Sequence, residues 1–250
     1  MSRRRFYAPP EALENGFFNL AIEEARHLRD VLRLKSGDEA FVFDGEGAEY
    51  SCIVTETGRG KSAAKLEMRE QVSPPSPESP LTMTLAVALL KGEKFDFVVQ
   101  KATELGVSRI VPVTTARADV RIRDASDVER RVTRWHRLAI EACKQSGRAR
   151  LPFIETPVAL SIFFETRTNE DARIMFSEHS GHGLAEALGR SEPLSLIALV
   201  GPEGGWDNEE IAHAGRAGWE IVTLGGRTLR AETAAIAVTS LLQHLFGDLK

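Results

Sequence analysis

The sequence predicts an α/β fold in two parts, a small β-barrel followed by a larger domain built on a parallel sheet. Residues 73–80 contain four prolines, which exclude helix and central strand and indicate an extended linker. Short strand-like runs precede this linker, whereas apolar strand-like runs alternate with helical patterns after it, as in parallel α/β sheets. We therefore expect one domain over residues 1–72, a linker over 73–80 and a second domain over 81–250.

The first domain is predicted from strand-like runs at residues 40–43 and 50–54. Between them, residues 44–47 read Asp-Gly-Glu-Gly, which is a turn signal. A helical pattern covers residues 23–32. Together these elements predict a small β-barrel with one helix.

The second domain begins with an apolar run at residues 81–90, whose length and flanks are typical of a buried strand. Residues 93–105 follow with apolar side chains at helical spacing, and Gly106 is placed to end that helix. Further strand-like runs lie at 109–113, 173–176, 194–200 and 220–224. Helical patterns lie at 128–145, 209–217 and 232–246. This alternation predicts a largely parallel sheet.

Composition is that of an ordinary globular protein, since 42% of the 250 residues are hydrophobic and 27% are charged. The two cysteines cannot form a disulfide framework, and neither they nor the scattered histidines have metal-ligand spacing. No apolar run is long enough to span a membrane. We therefore expect a cytoplasmic protein that uses neither a membrane nor a metal.

The net charge of −4 argues against non-specific coating of nucleic acid. Residues 116–150, however, contain ten Lys/Arg and only five Asp/Glu, a balance that can neutralise phosphates. A solvated helical face with intrahelical ion pairs has the same composition. Charge alone leaves both interpretations open.

Two glycine-rich turns each follow directly after a predicted strand. Residues 201–205 read GPEGG, and residues 224–230 read LGGRTLR. Ligands of open α/β sheets bind beyond the carboxyl ends of the strands, where glycines let the backbone approach the ligand. Tight strand-to-helix turns have the same glycine-rich composition, so a purely structural role is the alternative. Neither turn carries a G-x-G-x-x-G or P-loop signature. Asp207 and Glu210 have the spacing of a helix capping box, which favours capping over catalysis.

Four strings occur in an order and spacing that resemble a known family. They are QKATELGV at 100–107, EACKQSGR at 141–148, GPEGG at 201–205 and LRAETA at 229–234. The chain resembles, over nearly its whole length, the ribosomal RNA small subunit methyltransferase E family of the SPOUT class, which forms N3-methyluridine in small-subunit ribosomal RNA. The resemblance implies a PUA-like barrel, then a methyltransferase domain with a trefoil knot, one of the rare exceptions to unthreaded chains.

The same resemblance implies that S-adenosylmethionine binds in the knot, held mainly by backbone groups. It also implies a homodimer in which the apolar face of the helix at 232–246 would pack at the interface between the two subunits. Taken alone, that face would instead indicate a helix buried in the core of its own domain. The implied cofactor-binding residues are Phe176, Ser177, Glu178, Val200, Gly201, Pro202, Gly204, Gly205, Leu224, Gly225, Arg227, Leu229 and Arg230.

The implied chemistry requires loss of the uridine N3 proton, because neutral N3–H has no lone pair to attack a methyl group. A cation near O2 or O4 favours the uridine anion, and Arg230 is the expected cation. Glu232 is the expected base, although it also fits as a partner of Arg230 or as favourable charge at a helix N-terminus. Glu203 is the alternative base, or it holds its loop by accepting backbone hydrogen bonds.

Small-subunit ribosomal RNA or the 30S particle is the implied partner. Cations and aromatic residues at the N-terminus suit phosphates and stacked bases, although a disordered tail would have the same composition. The residues expected to bind RNA are Arg3, Arg4, Arg5, Tyr7, Arg26, Lys144 and Arg148.

Two other protein classes fit only part of the sequence. A non-catalytic RNA-binding module would leave both glycine turns unexplained, and a Rossmann-type nucleotide enzyme would need a phosphate-binding signature that is absent.

Overall fold

The structure is a computed structural model that describes residues 3–58, 63–167, 170–189 and 192–250. The chain forms two compact units. The first comprises Met1–Glu78 together with Ile140–Leu151, and the second comprises Ser79–Ala139 together with Pro152–Lys250. The segment Ile140–Leu151 lies in the span that the sequence pattern assigned to the second domain, because sequence order does not reveal which unit a segment packs with.

The first unit contains one mostly antiparallel sheet. Its strands within the described residues are β1 (Arg5–Tyr7), β2 (Leu13–Glu14), β3 (Phe17–Leu20), β4 (Glu39–Phe43), β5 (Glu49–Glu56) and β6 (Ala64–Val72). They lie in the order β1-β4-β5-β6-β3-β2, and β1 pairs with β4 in parallel whereas the other pairs are antiparallel. The strands predicted at 40–43 and 50–54 are therefore confirmed.

One helix covers this sheet, as predicted. The helix α1 (Ile22–Arg26) continues into a π-helical turn over His27–Val31, and a short 3₁₀ turn lies at Pro10–Ala12. Alternate strand residues point inward and bury their side chains with Leu28, as the two-residue period of a strand requires. Residues 5–7 belong to the sheet, so the alternative of a disordered tail does not apply to them.

The second unit is built on a parallel sheet. Its described strands are β7 (Thr82–Ala88), β8 (Arg109–Thr114), β9 (Phe153–Ile154), β10 (Val158–Ala159), β11 (Ala172–Phe176), β12 (His182–Gly183), β13 (Ser195–Val200) and β14 (Glu220–Thr223). They lie in the order β10-β8-β7-β13-β11-β14-β12, with β9 also beside β8, and all of these neighbouring strands pair in parallel. The predicted parallel α/β sheet is confirmed.

Helices alternate with these strands. They are α2 (Lys94–Glu104), α3 (Ala125–Ser146), α4 (Leu160–Thr166), α5 (Leu184–Leu188), α6 (Asn208–Arg216) and α7 (Ala231–Phe246). In α2 the predicted apolar stripe is buried, and Gly106 follows the helix at a φ of 83°, a left-handed value that glycine adopts without strain. Within the described ranges, no helix combines the length and the apolar character needed to cross a bilayer.

Candidate functional site

Three neighbouring strands of the second unit, β13, β11 and β14, end side by side. The turns that follow them enclose a cleft of about 270 Å³. Twelve of the thirteen predicted cofactor-binding residues line it, and these are Phe176, Ser177, Glu178, Val200, Gly201, Pro202, Gly204, Gly205, Leu224, Gly225, Arg227 and Leu229. Arg230 is not among the lining residues. Adjacent strand ends explain why segments far apart in sequence meet in one cleft.

A buried tryptophan fixes two of these turns to each other. The Nε1 of Trp206 donates a hydrogen bond of 2.7 Å to the carbonyl oxygen of Phe176. The indole also packs so closely on Gly201 that a β-carbon there would lie 2.9 Å from the ring. Gly201 is therefore required by packing, and Trp206 sets the width of the cleft. Sequence patterns did not indicate Trp206, although an indole directly after a glycine turn is a usable signal.

The lining of the cleft includes both apolar and polar side chains. Small and apolar side chains come from the start of α7, at Ala231, Ala234 and Val238, and from Leu224 and Leu229.

The polar residues that line the cleft include Ser177, Asn208 and Arg117. At Gly205 and Gly225 the backbone has φ values of 67° and 87°, and a β-carbon at either position would meet no atom within 4 Å. The cleft therefore has open space directly beside exposed backbone, as a ligand held by main-chain groups requires.

A cluster of four charged residues borders the cleft. The Nζ of Lys94 lies 2.9 Å from Glu203 Oε1 and 3.8 Å from Glu232 Oε2. Arg230, at the N-cap position of α7, is near enough to act electrostatically on Lys94. The hydrogen bond that Lys94 donates to Glu203, followed by the charges of Glu203 and Glu232, raises the pKa of Lys94. The structure thus brings together all three predicted catalytic residues and adds Lys94, which the sequence pattern did not single out.

The two carboxylates of this cluster differ in their hydrogen bonding. Glu203 accepts the hydrogen bond from Lys94, whereas Glu232 Oε2 is buried and has no hydrogen-bond partner among the described residues. A buried oxygen without a donor is costly unless it has a use. Glu232 Oε2 is therefore the oxygen of this cluster that is buried without a hydrogen-bond partner among the described residues.

Other acidic residues near the first turn have structural roles. Asp207 accepts a hydrogen bond from Glu209 N, and the Glu210 side chain accepts from the Asp207 backbone, so the predicted capping box is confirmed. Asp207 also lies 3.4 Å from Arg117, a half-exposed side chain on the rim of the cleft.

Three residues expected to bind RNA are instead engaged in ion pairs within the first unit. Arg5 is buried and donates to Glu49 at 2.8 and 3.2 Å. Arg148 is buried against Glu78 at 2.6 Å, and Lys144 lies 2.5 Å from Glu24. Their charges are neutralised inside the protein, which corrects the expectation that they face RNA.

The remaining RNA-binding candidates are more accessible. Arg4 and Arg26 are exposed, whereas Arg3 stacks over Phe41 and pairs with Glu49. Tyr7 is half-buried in β1, and burial raises the pKa of its hydroxyl. Within the described ranges, no group of three or more His, Cys, Asp or Glu residues has the arrangement of a metal site.

Comparisons with known proteins agree with this arrangement. A model described as an RNA methyltransferase domain matches residues 77–243, and one described as an RNA methyltransferase PUA domain matches residues 21–67. A protein from Synechocystis sp., named ribosomal RNA small subunit methyltransferase E, is 32% identical over 96% of this chain and 77% of its own length.

Two solved structures are similar over essentially their full lengths. A ribosomal RNA small subunit methyltransferase E from Neisseria gonorrhoeae, bound to S-adenosyl methionine, is 34% identical with a TM-score of 0.87, covering 99% of this chain and 100% of its own. A Legionella pneumophila methyltransferase in complex with the cofactor SAM is 31% identical with a TM-score of 0.90, covering 100% of both chains.

Proposed function

The chain belongs to the ribosomal RNA small subunit methyltransferase E family, and on that premise we propose that it methylates N3 of a uridine in small-subunit ribosomal RNA, using S-adenosylmethionine. The observation that carries this proposal is the position of one charged cluster, Lys94, Glu203, Arg230 and Glu232, at the edge of a cleft formed by three strand ends. A ligand site and groups suited to proton transfer therefore lie next to each other.

The lining of the cleft fits S-adenosylmethionine. The apolar side chains of Leu224, Leu229 and Ala234 suit a flat adenine ring, and the open space at Gly205 and Gly225 suits main-chain hydrogen bonds. When bound, this cofactor supplies an electrophilic methyl group on a positively charged sulfur. We propose that all thirteen predicted cofactor residues except Arg230 act in this binding, and that Trp206 keeps their turns in place.

The charged cluster acts on the uridine. The Glu232 carboxylate would accept the N3–H proton, which leaves the N3 electron pair to bond to the methyl carbon that bound S-adenosylmethionine would supply, while the electrons of the methyl–sulfur bond would remain with the cofactor's sulfur. Arg230 is exposed at the N-cap of α7, where its charge can stabilise the negative oxygen of the uracil ring in the transition state. Glu203 is already bound to Lys94, so we assign the base to Glu232.

The RNA would be held by exposed cations. Arg4 and Arg26 lie on the first unit, and Arg227 lines the cleft of the second. We propose small-subunit ribosomal RNA, free or in the 30S particle, as the partner, which places the enzyme in the cytoplasm.

A homodimer is part of this proposal. Leu241 and Leu245 on α7 are 41% and 49% exposed, and with Leu184 and Phe246 they line an apolar groove. A large apolar surface left in water is typical of a protein interface. A second copy of the chain, packed against α7, is the proposed occupant. The trefoil knot implied by the family remains a prediction.

Calorimetric titration with S-adenosylmethionine tests the cofactor assignment. We expect saturable binding to the wild type, and at least tenfold weaker binding, about 1.4 kcal/mol, to a folded Gly225→Val variant. Valine would be strained at a φ of 87° and would fill space beside the exposed backbone. Absence of binding to the wild type would favour a non-catalytic RNA-binding module.

A further inference from the structure

Lys94 joins two carboxylates that come from different parts of the second unit. It lies in the first turn of α2, whereas Glu203 lies in the turn after β13 and Glu232 in the first turn of α7. Its partner Glu203 is 109 positions away in sequence. The contact is therefore not an ion pair between neighbouring residues of one helix, such as Lys101–Glu104.

The surrounding charges identify what Lys94 can do. The charged groups that act on it are Glu203, Glu232 and Arg230. Its pKa is raised, first by the hydrogen bond to Glu203, so the ammonium stays protonated at neutral pH and has no lone pair with which to accept a proton. Lys94 is therefore a fixed positive charge between two carboxylates. Without it, two negatively charged groups would lie close together with no positive charge between them, which is unfavourable.

The geometry around Lys94 is asymmetric. Its Nζ is within hydrogen-bond distance of Glu203, at 2.9 Å, but beyond that distance from Glu232, at 3.8 Å. Glu203 is thus the anchor of the ammonium, and Glu232 experiences its charge while keeping Oε2 free of hydrogen bonds within the described residues.

We propose that Lys94 is a positioning residue, anchored by Glu203, that holds the Glu232 carboxylate in place to accept the uridine N3 proton. This inference rests on the proposed function, because it assigns a role in the same reaction. It also gives Glu203 a role other than that of the base.

The test is the pH dependence of single-turnover methylation of 30S particles by Lys94→Met. We expect the rate of the bound complex to fall about tenfold at pH values on the acidic limb of the pH–rate profile, with S-adenosylmethionine affinity changed less than about threefold. The acidic limb of the pH–rate profile should move upward by about one unit or more, so activity recovers at higher pH. Lys94→Arg should keep the wild-type limb, because it retains the charge.

The matched control is Lys91→Met. Lys91 forms a similar ion pair with Asp119, at 2.7 Å, but both side chains are mostly exposed. This variant should leave the position of the acidic limb unchanged. A rate loss in Lys94→Met without movement of the limb, or a loss confined to cofactor affinity, would overturn the proposal.

The variant Glu203→Gln provides a second, independent test of the proposal if Lys94→Met does not fold. Removing the second negative charge should move the acidic limb to lower pH, and Glu203→Gln should return the limb of Lys94→Met toward that of the wild type. Loss of all activity in Glu203→Gln at every pH would instead make Glu203 the base and refute the role given to Lys94. A wild-type enzyme that forms no N3-methyluridine would refute the proposed function itself, which is a different outcome.

Discussion

Replacing Trp206 by phenylalanine would remove the hydrogen bond that ties two walls of the cleft together. The indole N–H donates to the Phe176 carbonyl oxygen over 2.7 Å in a buried position. Leaving that oxygen buried without a donor costs about 1–3 kcal/mol, in addition to the cost of the smaller ring. Loss of this hydrogen bond should also displace the turn that contains Phe176 and Ser177. Because these two residues line the cleft, we expect S-adenosylmethionine affinity to fall about tenfold or more.

Trp219→Phe is the matched control. Trp219 is buried in the same unit, but its Nε1 has no hydrogen-bond partner among the described residues. Both variants lose the same atoms, so the difference between them isolates the hydrogen bond. Urea unfolding should show Trp206→Phe to be less stable than Trp219→Phe by about 1–3 kcal/mol, and calorimetry should show weakened cofactor binding only in Trp206→Phe. Equal stability losses with unchanged cofactor affinity would refute this account of the cleft.

Three further predictions follow from the site, the last helix and the core. Arg230→Ala should lower kcat about a hundredfold, about 2.7 kcal/mol, with little change in S-adenosylmethionine affinity; a variant that binds RNA poorly but methylates bound RNA at the normal rate would make Arg230 a phosphate contact. Leu241→Glu should convert a dimer into monomers in light scattering, because it places a charge in the apolar groove; a fully active wild-type monomer would contradict this. Burial raises the pKa of both Cys52 and Cys143 to about 12, so iodoacetamide at pH 8 should modify them in the unfolded protein but hardly in the native one, as mass spectrometry would show.

Local patterns predicted the elements that place the cleft. The apolar run at 194–200 and the glycine turn after it correspond to β13 and one wall of the cleft. The apolar spacing at 93–105 corresponds to α2, because one buried stripe on a helix is a local property of the chain.

Non-local contacts explain what the patterns missed. The sequence Arg-Arg-Arg suggested an RNA-binding tail, but Arg5 is neutralised by Glu49, which lies 44 positions away. Likewise, Lys94 looks in the sequence like an ordinary surface residue of a helix. Only the fold brings Glu203 and Glu232 next to it. The strand β6 was missed although Ala64, Leu66 and Met68 alternate with charged residues, which is the two-residue period of a strand.

Nucleoside analysis of the reaction product tests the central claim most directly. Unmethylated 30S particles and free small-subunit ribosomal RNA would each be incubated with the protein and S-adenosylmethionine carrying an isotope-labelled methyl group, then digested and analysed by mass spectrometry. We predict labelled N3-methyluridine from at least one of the two substrates, at about one methyl group per RNA, and a much smaller amount with Arg230→Ala. Label in a different nucleoside, or no label in either substrate, would contradict the proposed reaction.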